Sequence, residues 1–261
     1  MEVHAHTHPS TGSGPRKKWT HYFWEFLMLF LAVSLGFYAE NTREVILHKK
    51  EVKTQLNSML SDLQSDISLF DSVTTKNSHG AQMADSLVEL LHSDITNTTE
   101  IYFAARTVTA NVGYYYSNSK SFEQLKTAGL LRYIKNKELL DSIGTYYSSF
   151  QWLINQIDLI RLKMDEIQKR NALIFDSYVF QQMMMNIKII AKSAIIGQPT
   201  TINKPLVKPS LLSIDVKDVN TVSLNYHYYS TAVKFYIRNS IFLQNRAKGL
   251  IEMIKQEYRL K

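Results

Sequence analysis

The chain contains no cysteine, and only nine glycines and five prolines occur in its 261 residues. The absence of cysteine excludes a disulfide framework, a thiolate metal site and a cysteine nucleophile. The low glycine and proline content argues against collagen-like, loop-dominated and β-sandwich chains. The length is sufficient for one or two domains with a buried core.

Motifs that carry chemistry are also missing. The sequence has no glycine-rich phosphate loop, no HExxH, no GxSxG and no pair of acidic clusters with two-metal spacing. Basic residues are spread along the predicted helices beside acidic ones and are not gathered on one element, which argues against a nucleic-acid partner. We therefore expect a protein that is not an enzyme, with no catalytic residue, no cofactor and no metal site.

What is present is a long apolar segment near the N-terminus. Residues 19–39 read WTHYFWEFLMLFLAVSLGFYA. As a helix this segment would measure roughly 31 Å, about the thickness of a bilayer's hydrocarbon core. Aromatic residues at both of its ends are typical of membrane interfaces. Tyr38, Ala39 and Glu40 form a poor signal-peptidase site, so the segment is predicted to be an uncleaved, single transmembrane helix.

The flanking charges give the orientation. Three basic residues, Arg16, Lys17 and Lys18, directly precede the segment, and four basic residues mixed with acidic ones follow it. The bare count does not settle the topology. Because the compact triplet lies directly at the membrane surface, we expect a cytoplasmic N-terminus and a body on the other side of the membrane.

The tail of residues 1–18 is polar and has no periodicity, which predicts a disordered segment. His4, His6 and His8 alternate in it, and such a tract can bind a transition metal. An HxH pair in a flexible tail lacks a second shell, so a solvated tail is the favoured interpretation.

Beyond residue 39 the pattern predicts an all-α fold. Apolar residues recur at steps of three and four, so the membrane helix continues as a stalk helix to about residue 78. Long helices with short connections favour an antiparallel helical bundle of coiled-coil character over residues 40–261, interrupted by a proline-containing loop at 196–222. The other predicted helices are 81–92, 98–115, 121–129, 137–175, 176–195 and 223–260.

One line along the membrane helix carries its ionisable and small residues. At 100° per residue, five positions fall within roughly 40° of one line on the helix surface. They are His21, Glu25, Ala32, Gly36 and Ala39. Small residues allow close helix approach, and ionisable residues in membrane helices usually face protein or water. The line is therefore a candidate helix–helix contact face; alternatively, Glu25 is hydrated at headgroup depth and the small residues are incidental.

Residues 121–150 are predicted to form a helical corner. A Ser121–Gln124 capping box opens one short helix, Gly129 ends it, and Asn136 caps the next. Leu131 and the remaining corner residues pack the turn together. The corner residues are Phe122, Leu125, Gly129, Ile134, Asn136, Tyr146 and Tyr147. An alternative is a ligand or peptide groove lined by Tyr114–Tyr116 and Tyr146–Tyr147.

Two stretches together, HYFWEFLMLFLAVSLGFYAENTREV and SFEQLKTAGLLRYIKNKELLDSIGTYYSSF, resemble an uncharacterised family of single-pass membrane proteins of Gram-negative bacteria. They cover about a fifth of the chain. The resemblance implies a membrane-anchored helical protein of unknown function, and it supplies no catalytic residues. Combined with the orientation expected from the flanking charges, it leads us to expect an anchor in the bacterial inner membrane and a periplasmic body.

We expect a scaffold or assembly subunit that binds a protein partner or a second copy of itself at the membrane. The alternative is a receptor-like sensory bundle that binds a small ligand between its helices.

Overall fold

The computed structural model describes residues 19–185, 200 and 202–260. All regular structure in these residues is helical, which confirms the all-α fold class. The tail of residues 1–18, with His4, His6 and His8, lies outside the described residues, as does part of the predicted loop. The helices are Trp19–Ser93 (α1), Thr98–Ala110 (α2), Lys120–Thr127 (α3), Lys137–Asn155 (α4), Ile157–Asn171 (α5), Ser177–Met184 (α6) and Val216–Tyr258 (α7), with a 3-10 turn at Leu130–Tyr133.

The chain divides into two compact units, Met1–Lys50 and Glu51–Lys261. The described part of the first unit is the N-terminal portion of α1. An 18-residue window there has a mean hydropathy of 1.5, and none of it is buried. Among the described residues, α1 is the one helix long and apolar enough to cross a membrane, which suggests a membrane anchor or a signal sequence.

The core of the second unit is formed by three series of heptad-spaced buried residues, one on α1, one on α4 and α5, and one on α7. Buried residues alternate at steps of four and three, the pattern of knobs-into-holes packing in coiled coils. The repeat is Val52, Leu56, Met59, Leu63, Asp66, Phe70, Val73, Asn77, Gly80, Ala84, Leu87 and Leu91 on α1; Leu139, Ile143, Tyr146, Phe150, Leu153, Ile157, Ile160, Met164, Ile167 and Asn171 on α4 and α5; and Val219, Val222, Tyr226, Tyr229, Val233, Tyr236, Ser240, Leu243, Ala247, Leu250 and Ile254 on α7.

Helix α7 runs antiparallel to α1 in this unit. The amide of Gln244 donates to the carbonyl of Ile67 at 3.2 Å, and the hydroxyl of Ser230 donates to Asp85 at 2.6 Å. Residue numbers on the two helices therefore change in opposite directions. The predicted antiparallel arrangement holds for this pair.

Helix α4 runs in the same direction as α1. The rings of Phe70 and Phe150 lie 5.3 Å apart, and the hydroxyl of Tyr146 donates to Asp66 at 2.8 Å. The predicted bundle is thus not antiparallel throughout, because residues 94–136 bring the chain back along α1 before α4 begins.

Several helix boundaries differ from the prediction. Helix α1 continues through Gly80, α2 ends at Ala110, and a single-residue break at Gln156 separates α4 from α5. The heptad spacing continues across that break. The predicted helix 137–175 is therefore two helices in one packing register.

The loop predicted at 196–222 ends earlier than expected. Helix α7 begins at Val216, because the carboxylate of Asp215 accepts a hydrogen bond from the amide of Lys217 at 2.8 Å and caps the helix. An acidic cap directly before a helix lowers the cost of its unpaired N-terminal amides.

Candidate functional site

Residues 111–119, which we call the strap, lie extended along α1. The amide nitrogen of Asn77 donates to the carbonyl of Gly113 at 3.1 Å, and the backbone N–H of Gly113 donates to Asn77 Oδ1 at 2.8 Å. Further along, the hydroxyls of Tyr115 and Thr74 are hydrogen-bonded at 2.9 Å. Strap numbers rise as α1 numbers fall, so polar side chains of α1 bind the backbone of an antiparallel extended segment.

The strap leads into two carboxylates one turn apart on α1. The buried Asp66 accepts a hydrogen bond from the backbone N–H of Asn118 at 3.2 Å and from the hydroxyl of Tyr146 at 2.8 Å. Asp62 accepts from the backbone N–H of Ser121 at 3.1 Å and from its hydroxyl at 2.5 Å. We call these five residues the carboxylate corner. They join α1, the strap, α3 and α4.

Burial controls the electrostatics of the carboxylate corner. It raises the pKa of Asp66 to about 6, while the hydrogen bonds from Tyr146 and Asn118 oppose the rise and the charge of Asp62 adds to it. Burial and the neighbouring Asp66 also raise the pKa of Tyr146 well above its usual value. The corner therefore gains a buried negative charge as the pH rises through about 6.

The helical-corner residues predicted from sequence pack beside these carboxylates. The rings of Phe122 and Tyr147 stack with centroids 4.3 Å apart and planes 9° apart. Gly129 has a left-handed φ of 65°, and Asn136 accepts a hydrogen bond from the N–H of Leu139 at 3.1 Å as the cap of α4. The remaining corner side chains, Leu125, Ile134 and Tyr146, are buried.

The predicted capping box at Ser121 is wrong. Helix α3 begins one residue earlier, at Lys120, and the hydroxyl of Ser121 donates to Asp62 instead of capping the helix. The capping-box pattern of Ser121 and Gln124 is therefore coincidental, because the Ser121 hydroxyl is used in a tertiary hydrogen bond to Asp62.

The tyrosines considered for a groove separate in the structure. Tyr115 and Tyr146 are buried, and their hydroxyls are hydrogen-bonded to Ser240 and Asp66, whereas Tyr116 is exposed. Tyr115 and Tyr146 therefore pack in the core and do not line an open groove.

The predicted contact face on the apolar segment is exposed. A Cβ added at Gly36 would meet nothing within 4 Å. The role of this face stays a prediction. The residues concerned, His21, Glu25, Ala32, Gly36 and Ala39, are all exposed along α1.

Sequence reasoning missed Asp66. This residue lies three positions after Leu63 and four before Phe70, so it occupies a core position of the α1 heptad repeat. A carboxylate at a heptad core position is the signal that could have identified it, since charged residues are rarely buried without partners.

Sequence reasoning also missed a row of exposed large side chains on α7, which we call the outer face. The row consists of Leu224, Tyr228, Phe235 and Phe242, all exposed and within about 40° around the helix. Cations cover three of the rings, with Lys163 at 5.4 Å from the centroid of Tyr228, Arg238 at 5.1 Å from Phe235 and Arg246 at 4.8 Å from Phe242. A second heptad-spaced apolar series beside the core series was the available signal.

No group of three His, Asp or Glu residues in the described residues is placed to hold a metal ion. The carboxylate corner can exchange a proton and fix the packing of four elements. No protein-family model matches the chain, and comparison with curated proteins and with solved structures found no match. The resemblance drawn from sequence therefore stays a prediction.

Proposed function

We propose that this chain is a single-pass, membrane-anchored scaffold or assembly subunit that binds a protein partner or a second copy of itself, without catalysis. The exposed apolar segment carries the proposal. Its candidate span is 0% buried, while the folded core of the second unit starts at Val52. Apolar surface left in water costs about 25 cal/mol per Å², and immersion of the segment in lipid removes this cost.

The outer face supports a binding role for the second unit. Exposed rings covered by cations are frequent at protein interfaces, where aromatic residues and arginine are enriched. Phe235 is 43% and Phe242 58% exposed although both lie on α7, a helix that also carries one of the core heptad series. A partner that buries these rings would keep the cation contacts and remove apolar surface from water.

The location we propose is the inner membrane of a Gram-negative bacterium, with the N-terminus in the cytoplasm and the second unit in the periplasm. The compact triplet Arg16, Lys17 and Lys18 and the family resemblance support it.

Alkaline carbonate extraction tests the anchor. We expect the full chain to stay with the membrane pellet and to be released by detergent. A variant with Leu31→Lys and Val33→Lys should shift to the aqueous fraction, since two charges in the span are costly. Wild-type chain in the aqueous fraction, or a mature chain that begins after residue 39, would contradict the proposal.

Orientation can be tested directly because the chain has no cysteine. Single cysteines are introduced by Ser13→Cys in the tail and Ser148→Cys on the exposed side of α4. The label is a maleimide that does not cross the inner membrane, applied to cells whose outer membrane has been permeabilised. We expect labelling at position 148 while the inner membrane is intact, and at position 13 only after lysis. The reverse pattern would place the second unit in the cytoplasm.

Self-association is tested at the contact face in membranes. Gly36→Ile and Glu25→Leu should weaken association. Leu31→Ile, about 100° around the helix from the centre of this face, should leave it unchanged. Unchanged association in all three variants would exclude this face as the self-association contact. A partner bound through the second unit is tested separately, by photo-crosslinking from position 235.

A further inference from the structure

A small cavity lies between α2, α5 and the start of α6, away from the carboxylate corner. Its volume is about 280 Å³. The lining combines polar groups with two aromatic rings, Phe175 and Phe180, whose centroids are 5.2 Å apart. The polar lining residues used below are Arg106, Asn171 and Thr109.

Arg106 brings an uncompensated positive charge to this cavity. Its Nη1 donates to the hydroxyl of Thr109 at 3.0 Å, and its buried Nε has no hydrogen-bond partner in the described residues. No Asp or Glu in the described part of the chain forms an ion pair with it. Burial lowers the pKa of the guanidinium. Buried charges are normally paired, so this partly buried guanidinium lies at the cavity without a counter-ion among the described residues.

A second donor is oriented at the same place. Asn171, which is buried, accepts a hydrogen bond from the hydroxyl of Tyr226 at 3.1 Å through its Oδ1. With Oδ1 in this hydrogen bond, the amide nitrogen of Asn171 is left as a donor for a cavity ligand. The guanidinium of Arg106 also lies 5.9 Å from the centroid of the Phe180 ring. Charged donor, neutral donor and apolar rings are thus neighbours.

We infer that this cavity binds a small organic carboxylate with an apolar body. The carboxylate would accept hydrogen bonds from the Arg106 guanidinium and the Asn171 amide, and the apolar body would lie against Phe175 and Phe180. A cation would be repelled by Arg106, and an inorganic anion would leave the rings unused. The inference does not depend on the membrane anchor, and it gives the receptor-like alternative a specific site.

Benzoate tests the inference, with benzamide as its neutral analogue and inorganic phosphate as an anion without a ring. Binding to the full chain in a nonionic detergent is measured by ligand-observed NMR. We expect saturable benzoate binding, with benzamide and phosphate each weaker by about tenfold or more. Arg106→Gln should weaken benzoate binding by about the same factor. The matched control is Arg170→Gln, because Arg170 is exposed and lies 3.8 Å from Glu166.

Four results would overturn the inference: no benzoate binding to wild type, equal binding of benzamide, tighter binding of phosphate, or benzoate binding that Arg106→Gln leaves unchanged. If Arg106→Gln does not fold, as judged by its thermal transition, Phe180→Ala replaces it. That variant keeps the charge, so it should weaken benzoate binding by about tenfold and leave acetate binding unchanged. Equal benzoate affinity in wild type and Phe180→Ala would also refute the inference.

Discussion

Gly80 of α1 lies directly against the backbone of Asn111, where the strap begins. A Cβ at position 80 would be 2.8 Å from the carbonyl oxygen of Asn111, closer than two such atoms can approach. The strap can follow α1 from its first residue only because position 80 has no side chain.

Gly80→Ala should therefore destabilise the second unit by about 1–3 kcal/mol, because the strap or the helix must move to admit the methyl group. Gly144→Ala is the matched control, since a Cβ there has no neighbour within 4 Å. It should stabilise α4 by about 0.5–1 kcal/mol through helix propensity. Urea unfolding in nonionic detergent, followed by tryptophan fluorescence, measures both.

The fluorescence signal can be assigned to the second unit. The chain has three tryptophans, and Trp152 is the one outside the apolar segment. A chain that carries both Trp19→Phe and Trp24→Phe keeps Trp152 as its one tryptophan. We call it the reporter chain and use it for every fluorescence-monitored unfolding measurement. Equal shifts for the two glycine variants would contradict the close approach at Gly80.

Gly129 tests backbone conformation without crowding. Its φ of 65° is left-handed, and a Cβ there would meet nothing within 4 Å. Gly129→Ala should cost about 1–2 kcal/mol in the free energy of unfolding, and Gly129→Asn should cost less because asparagine tolerates this conformation. If both variants were as stable as wild type, the turn would not require the left-handed conformation.

The raised pKa of Asp66 predicts a pH-dependent stability. The ordinary pKa of 3.8 becomes about 6 in the folded chain, so the folded state holds a proton that the unfolded state releases between these values. The contribution to stability is fully present below pH 3.8 and is lost as the pH rises through about 6. Its upper limit is about 3 kcal/mol.

Asp66→Asn removes this titration and keeps one acceptor oxygen at the carboxylate corner. In the reporter chain, the free energy of unfolding of wild type minus that of Asp66→Asn should decrease from pH 4 to pH 8. Parallel pH curves for the two proteins would show that Asp66 does not titrate differently in the folded and unfolded states.

Two buried tyrosines should respond in opposite ways to loss of the hydroxyl. The hydroxyl of Tyr229 is buried and has no hydrogen-bond partner in the described residues, whereas that of Tyr115 is 2.8 Å from the Ser240 hydroxyl. Tyr229→Phe should be neutral or stabilising, and Tyr115→Phe should cost about 1 kcal/mol. Thermal unfolding compares them, and a larger loss in Tyr229→Phe would contradict these contacts.

Helix position could be predicted from sequence better than helix limits. The three-and-four spacing of apolar residues correctly indicated helices around α1, α4, α5 and α7, and Asn136 was correctly identified as the cap of α4. The predicted break between residues 78 and 81 was wrong, since α1 continues through Gly80 to Ser93. A glycine inside a helix resembles a helix end in the sequence when its neighbour across the bundle is unknown. The same lack of a known neighbour produced the false capping box at Ser121.

The candidate sites divide along the same line. Gly129, Asn136 and the aromatic residues of the helical corner could be selected from local pattern, since turn and cap preferences act between residues close in sequence. Asp62, Arg106 and Asn171 could not, because what makes them notable is a partner or a missing partner far along the chain. The heptad position of Asp66 was visible in the sequence, but its partners Asn118 and Tyr146 were not.

The sequence by itself determined that the chain is helical and that residues 19–39 are apolar enough to span a bilayer, since backbone geometry and periodicity are local properties. Only the tertiary structure decided that α1 and α4 lie parallel, that the strap binds α1 through Asn77, and that Asp66 is buried. These features depend on which faces meet, and that choice is set by packing and hydrogen bonding among residues distant in the chain.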